Sequence, residues 1–247
     1  MSRPILLGHR GAKNYAPENT LAAFTLALEQ GADGVELDAK LSADGVVVVH
    51  HDAMLDRTTD GKGPLARHTF AQLRELDAGS FFSEKFRGEK IPTLEEVFET
   101  VGKRAVVNVE LTNYSTPFDR LVETVCELVR RHALQKSVIF SSFFAGNLKK
   151  AARFLPEVPR GLLTQPGLPG LWGRSFGFNF GDYAALHPHL ADVTAQQVYR
   201  VHKLGRKINV WTANAEDDIR RLAAWGVDGI ITDDPPLAVR VARGPST

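Results

Sequence analysis

Three apolar, strand-like runs in the first 52 residues each end in side chains capable of chemistry. Residues 5–8 lead into His9, Arg10 and Gly11; residues 34–39 read Gly-Val-Glu-Leu-Asp-Ala; residues 46–49 lead into His50, His51 and Asp52. Side chains alternate along a strand, so Glu36 and Asp38 share one face while Val35, Leu37 and Ala39 share the other. Two carboxylates on one face of an apolar strand are costly to bury unless positive charge lies between them. A divalent cation answers that need, and two histidines and an arginine close by point to phosphoryl chemistry. Glu110, at the end of Val106-Val107-Asn108-Val109, adds a third oxygen donor. Three such donors suit Mg²⁺ or Ca²⁺, with waters and substrate oxygens completing the coordination. An arginine fork holds phosphate, and the glycine after Arg10 lets the backbone approach closely. His50 and His51 are adjacent and face opposite ways, so one of them reaches the site. Asp52 selects His51, because a neighbouring carboxylate orients an imidazole. His50 is then structural, and His68, His132, His189 and His202 receive no role.

These groups need a scaffold that brings distant strand ends together. Strands are predicted at 5–9, 34–39, 105–111, 137–141, 160–164, 184–187, 207–211 and 228–232. Helical patterns lie between them. Asn19 or Thr20 caps a helix carrying Leu21, Phe24 and Leu28, with Gly31 past its end. Pro117 opens another, with Leu121, Val125, Leu128 and Val129 inward. Thr194 caps a third that stops at Gly205; a fourth begins with the acidic run 216–218 and ends at Gly226; Pro235 starts the last. This alternation predicts an α/β fold, a closed (β/α)8 TIM barrel forming one domain over residues 1–247. An open doubly wound sheet is the rival, but no glycine-rich dinucleotide fingerprint appears. Residues 52–92 break the rhythm after strand 2. They follow a hairpin return at 46–51 and are read as a small inserted subdomain over one end of the barrel.

Barrel chemistry sits where strands end. There the sequence delivers His9 and Arg10, then Glu36 and Asp38, then Glu110. Ser141, Ser142, Gln165, His187, Trp211, Asn214 and Asp233 follow on the later strands. Trp211 is a candidate substrate contact with Arg10. Asp56-Arg57-Thr58-Thr59 reads as a local salt bridge and turn. The aromatics Trp172, Phe176, Phe178 and Phe180 read as core packing, or more sharply as an apolar rim for an acyl chain or a membrane surface.

The 247 residues are 43% apolar and 24% charged, ordinary for a globular chain. Thirty basic and 29 acidic residues leave a net charge of +1, which argues against a nucleic-acid footprint. No run of eighteen apolar residues predicts a transmembrane segment. Met-Ser-Arg-Pro enters a strand at once, so no secretory signal is expected. The single cysteine, Cys126, lies among Val122, Val125 and Val129 and reads as core, and a cytoplasmic location is expected.

Several blocks also resemble the glycerophosphodiester phosphodiesterases. They are His9-Arg10-Gly11-Ala12, Pro17-Glu18-Asn19-Thr20, Gly34-Val35-Glu36-Leu37-Asp38, His51-Asp52, and Leu55-Asp56-Arg57-Thr58-Thr59 with Gly61 and Gly63. Further blocks are Ile91-Pro92-Thr93-Leu94-Glu95-Glu96-Val97, Trp211-Thr212-Ala213-Asn214, and residues 226–233 with Pro235. The match runs from residue 6 to about 236 and is loose over 113–205. The resemblance implies a barrel with a subdomain inserted after strand 2. It implies one divalent cation (Mg²⁺ or Ca²⁺, with Mn²⁺ compatible) on Glu36, Asp38 and Glu110. It also implies His9 and His51 as the acid/base pair, Arg10 at the phosphate, and a small glycerophosphodiester as substrate. One departure stands out. Many members carry lysine two residues after the third metal ligand, where this chain has Thr112; Lys40, in phase with Glu36 and Asp38, is the replacement candidate. The expected reaction releases an alcohol and sn-glycerol 3-phosphate. A lysophospholipase D-type activity, with transient membrane contact through 172–180, is the alternative. A non-catalytic barrel that binds phosphate esters is the less favoured one.

Overall fold

A computed structural model describes residues 3–244. Nine strands form one sheet: β1 (Ile5–His9), β2 (Gly34–Leu41), β3 (Val47–Val49), β4 (Val106–Leu111), β5 (Val138–Ser142), β6 (Arg160–Thr164), β7 (Ala185–Pro188), β8 (Lys207–Val210) and β9 (Gly229–Thr232). All but β3 run parallel, and β1 pairs with both β9 and β2, which closes an eight-stranded barrel. β3 runs antiparallel to the end of β2, outside the closed ring. Short helices return the chain between parallel strands, as such connections require. Val, Leu and Ile from the outer strand faces pack against these helices in one continuous core that includes Cys126.

Most helix signals are used as the sequence implies. Thr20, not Asn19, caps the helix Leu21–Glu29, accepting from Ala23 N at 3.2 Å. Thr194 caps Ala195–Lys203, and Gly226, at φ 76°, ends Glu216–Trp225. Pro117 differs from expectation. The helix starts at Leu121, because Asp119 accepts from Asn113, Thr116 and the Leu121 N–H and holds the preceding residues in a turn.

Between β3 and the helix Leu94–Val97 the chain builds a small core of its own, made by Val48, Leu55, Leu65, Leu73, Ala78 and Ile91. The barrel interior carries an unusual polar group. His187 on β7 and Asn209 on β8 point inward and meet at 2.9 Å, both buried. Gly161 and Gly229 make that possible: a Cβ at Gly161 would lie 2.2 Å from His187 Nε2, and one at Gly229 2.4 Å from Asn209 Oδ1.

Candidate active site

β1, β2 and β4 are in a register that sets three strand ends side by side. His9 pairs with Glu36, and Asp38 pairs with Glu110. One carboxylate oxygen from each of Glu36, Asp38 and Glu110 lies within 4.8 Å of the other two. Burial, with Asp38 and Glu110 close by, pushes the Glu36 carboxyl well up. Burial and Asp38 push Glu110 up to about 8. Asp38 is the exception. Burial raises it, but Arg10, His51 and the Asn19 amide outweigh burial and hold it below the usual carboxylate range. Three crowded acids, Glu36 and Asp38 buried and Glu110 partly so, whose mutual repulsion disfavours full ionisation, form a set that fits a hard dication.

Arg10 and Asn19 reach this cluster through unusual backbone. Both have positive φ, 55° and 58°, a costly conformation outside glycine. The Arg10 N–H donates to Glu36 at 3.1 Å, the Arg10 Nε lies 3.4 Å from Asp38, and Asn19 Nδ2 donates to Asp38 at 2.9 Å. Gly11, at φ 87°, completes the bend, where a side chain would strike Ala23.

Each of the two histidines has a carboxylate on its Nδ1. For His9 it is Asp233 at the end of β9, at 2.6 Å, itself held by Asn214 Nδ2 at 2.8 Å. For His51 it is Asp52, also at 2.6 Å. His9 Nε2 lies 3.9 Å from Glu36. Burial, ahead of the opposing bond to Asp233, lowers the His9 pKa. His50 is not part of the site; it is buried with Nε2 3.2 Å from the Met54 carbonyl.

His9, Arg10, Glu36, Asp38, Glu110, His51 and Asp52 line one cavity of about 970 Å³ together with Lys40, Thr112 and Trp211. Its other wall is apolar and aromatic, including Met54, Tyr114, Phe143, Phe144 and Leu163. Lys40 Nζ donates to both the carbonyl and the hydroxyl of Thr112 at 2.9 Å, so the cation sits beside the threonine. Trp211 Nε1 donates to the His187 carbonyl at 2.9 Å, which fixes the indole over the barrel end.

The structure separates some residues that the strand-end rule grouped. His187 is sealed inside the barrel and does not line the cavity; Ser141 is likewise buried under Asn108. Trp172, Phe176 and Phe180 are exposed on a helical segment after β6, away from the cavity lining, while Phe178 is buried against Tyr183. Conversely, Asp233, Glu18 and Arg57 hold the cavity-lining His9, Arg10 and Asp52, and Asn214 holds Asp233, although sequence reasoning assigns none of the four a part in the site. Asp233 and Asn214 stood at strand ends, and Glu18 and Arg57 stood in two of the matching blocks. Tyr114, which donates to Glu110 at 2.7 Å, lies in a loop with no pattern to mark it.

A sequence model of the glycerophosphoryl diester phosphodiesterase family matches residues 9–237. The chain belongs to this family. A glycerophosphodiester phosphodiesterase of Caldanaerobacter subterraneus subsp. tengcongensis is 38% identical over 242 residues, covering 98% of each chain. One from Bacillus altitudinis is 35% identical, covering 96% of this chain and 97% of the relative. Among solved structures, a phosphodiesterase from Oleispira antarctica, in complex with the product sn-glycerol-3-phosphate, superposes with a TM-score of 0.87. It is 34% identical and the match covers 97% of this chain and 96% of that one.

Proposed function

We propose that this chain hydrolyses glycerophosphodiesters to an alcohol and sn-glycerol 3-phosphate. The observation that carries the reading is the pair of carboxylate-backed imidazoles flanking a buried three-acid cluster in one cavity. Family membership and the product held by the Oleispira relative support it. Glu36, Asp38 and Glu110 would hold one divalent cation, Mg²⁺ or Ca²⁺, with Mn²⁺ also compatible. When bound it supplies Lewis-acid polarisation of a phosphoryl oxygen.

The rest is done by the chain. Arg10 and Lys40 face the phosphate as cations, Lys40 supplying from β2 the charge that Thr112 lacks. Trp211 packs on the substrate. With Nδ1–H given to its carboxylate, each imidazole presents Nε2 for proton transfer. His9, buried and biased toward its neutral form, takes the proton from the attacking hydroxyl. His51, at the open edge, gives a proton to the leaving alcohol as the phosphorus–oxygen bond breaks. Attack by the neighbouring glycerol hydroxyl, through a cyclic phosphate later opened by water, and direct attack by water use the same pair. A cytoplasmic location is part of the same proposal and rests on Cys126, a single buried thiol.

The test is release of glycerol 3-phosphate from glycerophosphocholine, with EDTA and with each metal restored. Release that EDTA stops and one metal restores is expected. Full release in excess EDTA would remove the cation from the reading.

A second reading has its own observation. The cavity has an apolar and aromatic wall, and Trp172, Phe176 and Phe180 are exposed on the helical segment after β6. We infer a lysophospholipid substrate and transient membrane contact through 172–180 as the alternative. No helix among the described residues is long and apolar enough to cross a membrane. Faster turnover of lysophosphatidylcholine than of glycerophosphocholine would favour this reading, and the reverse would dismiss it.

A further inference from the structure

His51 has a weaker seat than the chemistry assigned to it requires. It lies on the loop after β3, its side chain 40% exposed, and its ring is oriented by Asp52, which is itself on the loop. A carboxylate on a surface loop orients nothing unless something fixes it. Arg57 is that something. Its Nε donates to Asp52 Oδ2 at 2.6 Å and its Nη2 reaches Asp52 Oδ1 at 3.2 Å. Its two terminal nitrogens also clasp Glu18, Nη1 to Oε2 at 2.9 Å and Nη2 to Oε1 at 2.7 Å.

Glu18 is buried on the segment between β1 and its helix, and its Oε1 also accepts from Arg10 Nη1 at 2.9 Å. The result is an alternating line of charge, Asp38–Arg10–Glu18–Arg57–Asp52–His51, from the acid cluster of the barrel to the loop histidine. Planar bidentate guanidinium–carboxylate pairs fix angle as well as distance, which a lysine in the same place does not. Burial raises the Glu18 pKa, but Arg57 and Arg10 outweigh it and hold the carboxyl down to about 2, so Glu18 is ionised at neutral pH.

We propose that Arg57 and Glu18 are positioning residues that strap the His51 loop to the Arg10 phosphate site, so that His51 is in place for proton donation when the phosphodiester is bound. This rests on the reading of His51 as the acid. Neither residue lines the cavity, so each acts through another group.

The test is a double-mutant cycle on the full chain with the restoring metal present. Two substrates are used: glycerophosphocholine, whose leaving alcohol needs a proton, and a p-nitrophenyl ester of glycerol 3-phosphate, whose leaving group does not. Arg57→Gln should lower kcat on glycerophosphocholine about tenfold. In a His51→Ala background the same change should cost less than about twofold. On the p-nitrophenyl ester it should cost little in either background, and Arg57→Lys should restore only part of the loss. A loss of the same factor with and without His51, or on both substrates alike, would show general structural damage and overturn the strap. So would a fully active Arg57→Gln enzyme beside an inactive His51→Ala one. Wild-type turnover in His51→Ala would instead overturn the acid reading on which the strap rests.

Discussion

His9 and His51 carry the same device on different mounts. Each has an aspartate 2.6 Å from Nδ1. The aspartate of His9 comes from the far side of the barrel closure, 224 residues away, is held by Asn214, and leaves His9 only 15% exposed. The aspartate of His51 is the next residue along the chain, and His51 is 40% exposed. One imidazole is fixed by barrel closure, the other by a salt-bridged loop. A base that must stay neutral suits the buried mount, where desolvation disfavours the imidazolium. An acid that must regain a proton from water each cycle suits the open one.

Deleting each ring tests that division most directly. On glycerophosphocholine, His9→Ala and His51→Ala should each lower kcat by about 10²–10⁴-fold, the usual worth of a general acid or base. On a p-nitrophenyl ester of glycerol 3-phosphate the His51 variant should recover most of its rate, while the His9 variant should not. Steady-state kinetics on the two esters reads the difference, and equal recovery in both would erase the assignment of roles.

In the proposed mechanism the acid cluster serves both histidines, so neutralising it should not distinguish them. Glu110→Gln should lower turnover by about 10²-fold or more on either ester. In metal-free protein at neutral pH it should also stabilise the fold by about 1 kcal/mol or more, because burial beside Asp38 makes the fold disfavour the ionised carboxylate that Glu110 has in the unfolded chain. For a chain of this size that is a Tm rise of roughly 2–4 °C per kcal/mol. Added metal should raise the wild-type Tm more than that of the variant. A metal-free variant that melts below wild type would show that the cluster is not strained.

The two aspartates should be unequal. In Asp233→Asn the carboxamide oxygen stays with Asn214 Nδ2, which turns the new NH₂ toward His9 Nδ1 and imposes the wrong tautomer. A loss of about 10²–10⁴-fold is expected, as for other buried aspartate–histidine pairs. Asp52→Asn turns its NH₂ toward His51 in the same way, since Arg57 claims the oxygen, but water reaches the half-exposed ring and offers another partner. About tenfold is expected there. An Asp52→Asn enzyme as damaged as Asp233→Asn would mean that exposure does not soften the loop mount.

The unequal mounts also explain what the sequence could show. Alternation within a strand is local, so Glu36, Asp38 and Glu110 were legible as a cluster, and the even strand–helix rhythm gave the barrel. The Asp52 pairing was legible because the partner is adjacent. Asp233 stood at a strand end, but its tie to His9 exists only once β9 pairs with β1. Arg57 read as a local turn residue because its second clasp, to Glu18, spans 39 residues. His187 shows the limit of the strand-end rule. The last residues of a barrel strand point alternately into the barrel and toward its outer layer, and the rule does not set depth. His187 therefore fell inside, facing the gap left by Gly161.

That buried histidine leaves the proposed chemistry untouched and completes the comparison, because its ring meets no carboxylate among the described residues. Its Nε2 takes the Asn209 amide at 2.9 Å, its Nδ1 has no partner among the described residues, and burial lowers its pKa from 6.5 to about 4. A folded-state pKa below the unfolded one means the fold favours the neutral ring. The stabilisation it contributes is therefore complete above about pH 6.5, declines as the pH falls toward 4, and is flat below that. The full loss is about 3 kcal/mol at most. His187→Gln removes the titrating group, so its unfolding free energy should fall less steeply than that of wild type between pH 6.5 and 4. The lower stability it has at pH 7 from lost packing does not affect this slope. Urea denaturation at several pH values across that window measures both slopes. Parallel lines would mean that His187 is hydrated in the fold and that the barrel interior is wetter than its burial implies.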